Sequence, residues 1–130
     1  IVPGGTIYRE QNIILSSFEN DGSRHFYANK IFMGAQGVGP MGIMEVDSLV
    51  VQAEEKLMSQ ADELVLLVDS GKFEKRSSLV LCPLERASTI ITDDEISDKA
   101  RHMVEDLGIH LITVGVPADE SSSVVHTFNG

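Results

Sequence analysis

The sequence has little of what would mark a secreted, membrane-spanning or nucleic-acid-binding chain. Its 130 residues include a single cysteine, Cys82, which excludes an internal disulfide framework. The longest apolar runs, residues 64–68 and 79–82, are much too short to cross a bilayer. Only 10 basic residues stand against 20 acidic ones, and the net charge of −10 opposes contact with a phosphate backbone. We therefore expect a cytoplasmic domain that does not itself bind DNA or a membrane.

The apolar pattern predicts one α/β domain. Apolar positions recur at helical spacing from Ser48 to Ala61, with Asp47 or Ser48 placed to cap the first turn. A second amphipathic helix is predicted over residues 93–107, closed by Gly108. Short apolar runs typical of strands lie at residues 30–33, 64–68, 79–82, 89–92 and 109–114. This alternation predicts a doubly wound, mostly parallel, Rossmann-like sheet with helices on both faces and right-handed crossovers.

Two segments lack a regular period. A short helix is expected within residues 16–27, and residues 34–42, with four glycines and Pro40, predict a long irregular loop. The glycine spacing differs from the dinucleotide-binding fingerprint and no helix follows, so no cofactor is expected. Such a loop at a strand end fits two interpretations equally well: a plain connection, or the rim of a site for a small polar molecule.

The reactive side chains form no pattern typical of catalysis or metal binding. The four histidines are scattered without metal-ligand spacing, and Cys82 lies inside an apolar strand, where it is expected to pack as a small hydrophobe. The acidic residues 93–95 are interpreted as the solvated start of a helix. We therefore expect neither a nucleophile nor a metal site.

Glu54 is the more informative acidic residue. Its spacing from Val50, Leu57 and Met58 places it on the apolar face of the first helix, whereas Glu55 points outward. A carboxylate that faces a sheet needs a partner, and Lys72, just past a strand end, is a candidate. The alternatives are a structural ion pair or a glutamate at the edge of the apolar stripe.

Four motifs in order resemble the C-terminal sensor domain of DeoR-type transcriptional regulators. They are Pro3-Gly4-Gly5-Thr6, Phe32-Met33-Gly34-Ala35-Gln36-Gly37-Val38, Ala53-Glu54-Glu55-Lys56-Leu57 and Val68-Asp69-Ser70-Gly71-Lys72-Phe73. The resemblance extends to residues 90–93 and to the final strand, so it spans nearly the whole chain. It implies a sensor for a phosphorylated sugar, usually within a repressor of a sugar-catabolism operon.

The resemblance also implies what this chain lacks. Residues 1–130 are expected to be a single, partial sensor domain without the family's N-terminal winged helix-turn-helix. The first strands of the sheet, with the loop that grips the phosphate, are expected to be missing too. Operator DNA would then be contacted only through the missing domain, and the protein is expected to form a homo-oligomer.

The family's sensor is related to ribose-5-phosphate isomerase, which allows a test of the enzyme hypothesis. Aligned without gaps, Glu54 and Lys72 fall on the isomerase's catalytic glutamate and turn lysine. Met33 and Gln36 replace two carboxylates, and residues 37–52 contain no lysine where one is expected. Losing three acid, base or electrophilic groups should remove most of the rate. The resemblance thus predicts binding without turnover.

By this resemblance we expect seven residues in the effector pocket. They are Gly34, Ala35, Gln36, Gly37, Glu54, Asp69 and Lys72. Lys72 is the expected partner of an anion or a hydroxyl group, and Gln36 can hydrogen-bond a sugar hydroxyl. Two alternatives stay open: an active sugar-phosphate isomerase or deaminase of the same superfamily, and an unrelated α/β binding module.

Overall fold

The structure is a computed structural model that describes residues 4–9, 12–16 and 22–116. The strands are β1 (Thr6–Tyr8), β2 (Ile13–Leu15), β3 (Ala28–Met33), β4 (Gly37–Gly39), β5 (Gly42–Glu45), β6 (Ala61–Leu67), β7 (Leu79–Cys82), β8 (Ala87–Asp93) and β9 (His110–Val114). The α-helices are α1 (Ser48–Met58) and α2 (Asp98–Asp106). Short 3-10 helices lie at Gly22–His25, Ser70–Glu74 and Leu84–Arg86. Within the described ranges, neither α-helix has the length and apolar character needed to span a membrane.

Four strands form a parallel sheet in the order β3-β6-β8-β9. Met33 pairs with Leu66, Leu66 with Ile90, and Ile90 with Leu111, so the apolar runs lie side by side. Leu66 and Ile90 have no exposed surface, as expected of central strands in a sheet of this kind. The prediction of an α/β fold with a parallel sheet is confirmed, although five of the described strands pair antiparallel in two further sheets.

The described sheet carries both helices on one face. Its strand order follows the chain without a reversal, and right-handed crossovers then place every connection on the same side. Met58 of α1 and Val104 of α2 accordingly join the core formed by Leu66 and Ile90. On the opposite face Phe32 is 60% exposed. The doubly wound arrangement is therefore not confirmed, and the missing first strands stay a prediction.

The segment predicted as an irregular loop, residues 34–42, contains β4, a tight turn and the start of β5, which belong to a second sheet. Strands β4 and β5 make an antiparallel hairpin through Pro40 and Met41, and β7 pairs with β5, giving the order β4-β5-β7. Gly42 has φ +125°, and a Cβ there would collide with the Cys82 carbonyl oxygen. The loop prediction was wrong because these glycines permit close backbone pairing instead of preventing it.

The helix boundaries follow their caps. Asp47 caps α1, its Oδ1 accepting from Leu49 N at 2.7 Å. Helix α2 begins at Asp98 and not at Asp93, because the Ser97 hydroxyl caps it by accepting from Ala100 N. Gly108, at φ +73°, follows the end of α2 as predicted.

The amino-terminal part of the described chain holds a short hairpin that the sequence did not predict, β1 paired with β2. Of the helix expected within residues 16–27, the structure contains the 3-10 helix Gly22–His25, and residues 17–21 lie outside the described residues.

Candidate functional site

Neighbouring strands bring two of the predicted segments to one edge of the sheet. Strands β3 and β6 are parallel, so their carboxyl ends meet, and Gly34 lies beside the end of β6. A Cβ at Gly34 would be 3.9 Å from the Leu67 carbonyl oxygen. Gly34, Gln36 and Asp69 are exposed here, and Lys72 is half-buried. This edge is where ligands bind in open α/β sheets.

The turn that carries Lys72 is tied to the neighbouring strand. Lys72 N donates to Asp69 O at 3.0 Å, and Ser70 N donates to the Asp93 Oδ2 at 2.7 Å. Hydrogen bonds from the hydroxyl and the N–H of Ser70 hold the pKa of Asp93 below its ordinary value. The sequence had assigned Asp93 to a solvated helix start, but the structure makes it the last residue of β8, where it positions the turn.

Two of the seven residues predicted for the effector pocket are buried against other parts of the protein. Ala35 is buried and belongs to the apolar core. Gly37 is buried as well, and a Cβ there would lie 2.6 Å from the Lys75 carbonyl oxygen. A side chain at position 37 would therefore push away the segment that follows Lys72. Gly37 thus allows this segment to pack closely against β4.

Glu54 lies on the inner face of α1, as its spacing predicted, and Glu55 is exposed. Burial, followed by the charge of Glu45, raises the pKa of Glu54 to about 7. Its Oε2 is buried and has no hydrogen-bond partner, and among the described residues Glu54 forms no ion pair with Lys72, the candidate partner.

Glu45 is a buried acidic residue that the sequence interpretation missed. It ends β5 with 5% of its surface exposed, and burial raises its pKa. The backbone N–H groups of Val46 and Gln36, together with the charge of Lys72, oppose that rise. The Gln36 N–H and the charge of Lys72 thus act on the Glu45 carboxyl group, and the charge of Glu45 in turn raises the pKa of Glu54. The sequence feature that could have identified it is a single acidic residue at the end of the otherwise apolar stretch of β5.

A groove of about 670 Å³ lies between the β4–β5 hairpin, the segment after Lys72 and the start of α2. Its lining is mostly apolar, with Met44, Phe73 and Met103, and includes Lys75 and Lys99. None of the seven predicted residues lines it. In the described ranges, no group of three or more His, Cys, Asp or Glu side chains is arranged to hold a metal ion.

The geometry defines an α/β domain in which Gln36 and Lys72 follow the carboxyl ends of adjacent parallel strands, and in which the Gln36 N–H and the charge of Lys72 act on the buried carboxylate of Glu45. Such a set can hydrogen-bond a small polyhydroxylated ligand. Residues 1–94 match the family model described as the DeoR C terminal sensor domain. The chain belongs to this family, which confirms the resemblance drawn from the sequence.

Curated relatives agree with this assignment. The chain is 28% identical over 115 residues to the HTH-type transcriptional regulator UlaR of Shigella dysenteriae and to the protein of the same name in Escherichia coli K12. In both cases the match covers 88% of this chain and 45% of the relative. The chain therefore spans less than half the length of the regulators it matches, and it is similar to the sensor domain of a DeoR-type transcriptional regulator.

Proposed function

We propose that this domain binds a phosphorylated sugar and thereby changes DNA binding by the full-length protein, a cytoplasmic repressor of a sugar-catabolism operon. The observation that carries the proposal is the buried carboxylate of Glu45, on which the Gln36 N–H and the charge of Lys72 act, in a domain of the DeoR sensor family. The names of the relatives, which are those of HTH-type transcriptional regulators, support the regulatory part.

The chemistry of the site suits a small anionic polyol. In a chain of net charge −10, an anion needs a local cation, and Lys72 is half-buried beside the strand ends with three N–H donors. Gln36 offers an exposed amide, and the carboxylates accept hydrogen bonds from hydroxyl groups. The main phosphate grip is expected in the part of the sensor that precedes these residues, as in the family.

Signalling then requires that the effector bind one state of the protein better than another. A ligand shifts a conformational equilibrium only by its difference in affinity for the two states. We propose that these are two arrangements of a homo-oligomer, which present the N-terminal winged helix-turn-helix domains differently to operator DNA.

The proposal is tested by thermal melting of the full-length protein against a panel of sugar phosphates and free sugars. A ligand that binds only the folded state at 100 times its Kd should add about 2.7 kcal/mol of stability. We expect one sugar phosphate to raise Tm selectively, and Lys72→Ala to weaken its binding about tenfold or more, since a charge-assisted hydrogen bond is lost.

Lys75→Ala is the matched control, because Lys75 is exposed three residues further along the chain. It should leave the affinity within about twofold of wild type, the scale of a screened surface charge. If no sugar phosphate at millimolar concentration changes Tm, the proposed ligand class is wrong. If Lys75→Ala is as harmful as Lys72→Ala, the assignment of Lys72 is wrong.

One observation favours a second candidate, residual isomerase activity. A carboxyl group with a pKa near neutrality, such as Glu54 at about 7, is suited to proton transfer. We nevertheless propose binding without turnover, because Met33 and Gln36 stand where the isomerase has carboxylates. Interconversion of a pentose or hexose phosphate by the full-length protein, lost in Glu54→Gln, would establish the enzyme instead.

A further inference from the structure

The groove between the β4–β5 hairpin, the segment after Lys72 and the start of α2 has two walls that are fixed to each other. The segment packs directly on β4, since a Cβ at Gly37 would lie 2.6 Å from the Lys75 carbonyl oxygen. Ser77 N donates to the Met44 Sδ at 3.4 Å, and the Ser77 hydroxyl donates to the Glu45 carbonyl oxygen at 2.5 Å. The groove is therefore formed before any ligand binds, and its volume of about 670 Å³ is typical of sites for small molecules.

The lining of the groove offers an adaptable apolar surface. Three of the five methionines of the chain line it, Met41, Met44 and Met103. Methionine is unbranched and polarizable, so it fits apolar groups of different shapes. Met41 and Val80, which are 72% and 46% exposed, leave apolar surface uncovered in the described part of the chain. The groove can thus hold an apolar body, such as an aromatic ring or a short aliphatic chain.

The charge of the lining is opposite to that of the chain. Acidic residues outnumber basic ones by 20 to 10 in the sequence, but the groove is lined by three basic residues, Lys75, Arg76 and Lys99, and one acidic residue, Glu74. Among the described residues, the side chains of Arg76 and Lys99 form no hydrogen bond or ion pair. A cleft lined mainly by one sign of charge attracts ligands of the other sign. The groove thus favours a ligand with a negative charge.

We propose that this groove is a second ligand site, which binds a small anionic molecule with an apolar body. Arg76 and Lys99 belong to different walls and hold the anionic group, and the apolar body packs on Met44, Phe73 and Met103. None of the seven residues expected in the effector pocket lines the groove. The inference therefore does not depend on the function proposed above, and a sugar phosphate, which lacks an apolar body, is not the expected ligand.

Two fluorescent dyes that share their rings and differ in charge test the site. 8-Anilinonaphthalene-1-sulfonate carries a sulfonate group, and N-phenyl-1-naphthylamine is the same molecule without it. Each dye is titrated into the full-length protein, and the rise in emission in an apolar environment gives its Kd. We expect saturable binding of both dyes, and we expect added salt to weaken the binding of the anionic dye only, because salt screens its attraction to the basic residues.

Variants assign the binding to the groove. Arg76→Gln and Lys99→Gln should each weaken the binding of the anionic dye about fivefold or more, and leave the Kd of the neutral dye within about twofold. Lys99 lies in the first turn of α2, where the helix dipole disfavours a positive charge, so Lys99→Gln should fold as well as the wild type. Lys30→Gln is the control, because Lys30 is an exposed lysine that does not line the groove, and it should leave both Kd values unchanged.

A further variant fills the groove. Ser78 is exposed and lines it, so Ser78→Trp places a large ring where the dyes would bind and should weaken the binding of both. Circular dichroism shows whether this variant folds, and if it does not, Arg76→Gln and Lys99→Gln decide the question.

Three results would overturn the inference. If neither dye binds the full-length protein, another segment or a second copy of the chain covers the groove. If Lys30→Gln weakens the anionic dye as much as Lys99→Gln does, the dye responds to the overall charge and not to the groove. If a sugar phosphate displaces the anionic dye completely and in direct competition, the dye lies in the effector pocket. None of these results contradicts the proposed function, which is tested with other ligands and with Lys72→Ala.

Discussion

Strands β5 and β6 are both largely buried, yet they are built from different kinds of residue. Strand β6 is central in the parallel sheet, and Leu64 and Leu66 in it have no exposed surface. Strand β5 is central in the antiparallel sheet, and it begins with Gly42 and ends with Glu45. The first strand contributes apolar area, whereas the second contributes close backbone contact and a buried charge.

The two strands therefore differ in what they contribute to the stability of the fold. Burying aliphatic side chains is the main source of folding free energy, and a strand such as β6 provides it. Burying a carboxylate opposes folding, so Glu45 and Glu54 lower stability in the absence of a ligand. Polar groups that are destabilising in the free protein are available to a ligand that satisfies them. In the antiparallel sheet, the buried carboxylate of Glu45 is thus a group whose burial opposes folding.

The largest effect should come from adding a methyl group to the antiparallel sheet. Gly42→Ala places a Cβ against the Cys82 carbonyl oxygen at φ +125°, and we expect a loss of about 3 kcal/mol or more. Gly108→Ala is the control, because Gly108 has φ +73° with open space around it, and it should cost about 1 kcal/mol. Urea unfolding measures both, and equal losses would show that crowding between β5 and β7 is unimportant.

A smaller effect should appear as pH dependence. Folding raises the pKa of Glu54 from its ordinary value of 4.5 to about 7, so the folded protein keeps the proton that the unfolded chain releases. The contribution of Glu54 to the free energy of unfolding is fully present below pH 4.5 and is lost as the pH rises to about 7. Allowing for solvent screening, we expect about 1–2 kcal/mol.

Glu54→Gln should therefore be more stable than the wild type at pH 8 and should show a flatter profile between pH 5 and 7. Glu55→Gln, on the exposed side of the same helix, should leave the profile unchanged. Thermal or urea unfolding across this pH range measures the difference. A Glu54→Gln profile that follows the wild type would mean that the burial of Glu54 has no energetic consequence.

The smallest effect should come from the exposed face of the parallel sheet. Lys30 and Glu63 form an ion pair at 2.6 Å, with 50% and 47% of their side chains exposed. Screened surface pairs of this kind contribute little, and a double-mutant cycle with Lys30→Ala and Glu63→Ala should give a coupling below about 0.5 kcal/mol. A coupling above about 1.5 kcal/mol would show that charge pairing also stabilises the parallel sheet.

The sequence correctly predicted features that depend on residues close together in the chain. The apolar run over Leu79–Cys82 became β7 with the same ends, and Asp47 caps α1 as one of the two residues proposed for that position. The inward orientation of Glu54 also followed from helical spacing, and its raised pKa agrees with it. Each of these features is decided by residues a few positions apart.

The hairpin β4–β5 and the role of Glu45 could not be predicted in this way. Glycine is uncommon in strands, and a strand buried on both faces has no alternation to detect. The pairing that makes β5 a central strand joins Ile43 to Cys82, residues far apart in the sequence. Asp93 was assigned to a helix for a similar reason, since its hydrogen bond from Ser70 joins the end of β8 to a turn far away in the sequence.

The partial burial of Cys82 makes its thiol slow to react, which allows selective labelling of a cysteine introduced elsewhere. Burial raises the pKa of its thiol to about 11, and the carboxylate of Glu54 adds to the shift. Because the thiolate is the reactive form, about one thiol in 10⁴ is ionised at pH 7, and maleimides should modify Cys82 slowly. A cysteine introduced at an exposed position such as Glu105 would then take up a fluorophore selectively, with the native thiol left in place. Changes in its emission on addition of a ligand would follow rearrangement of α2 in real time.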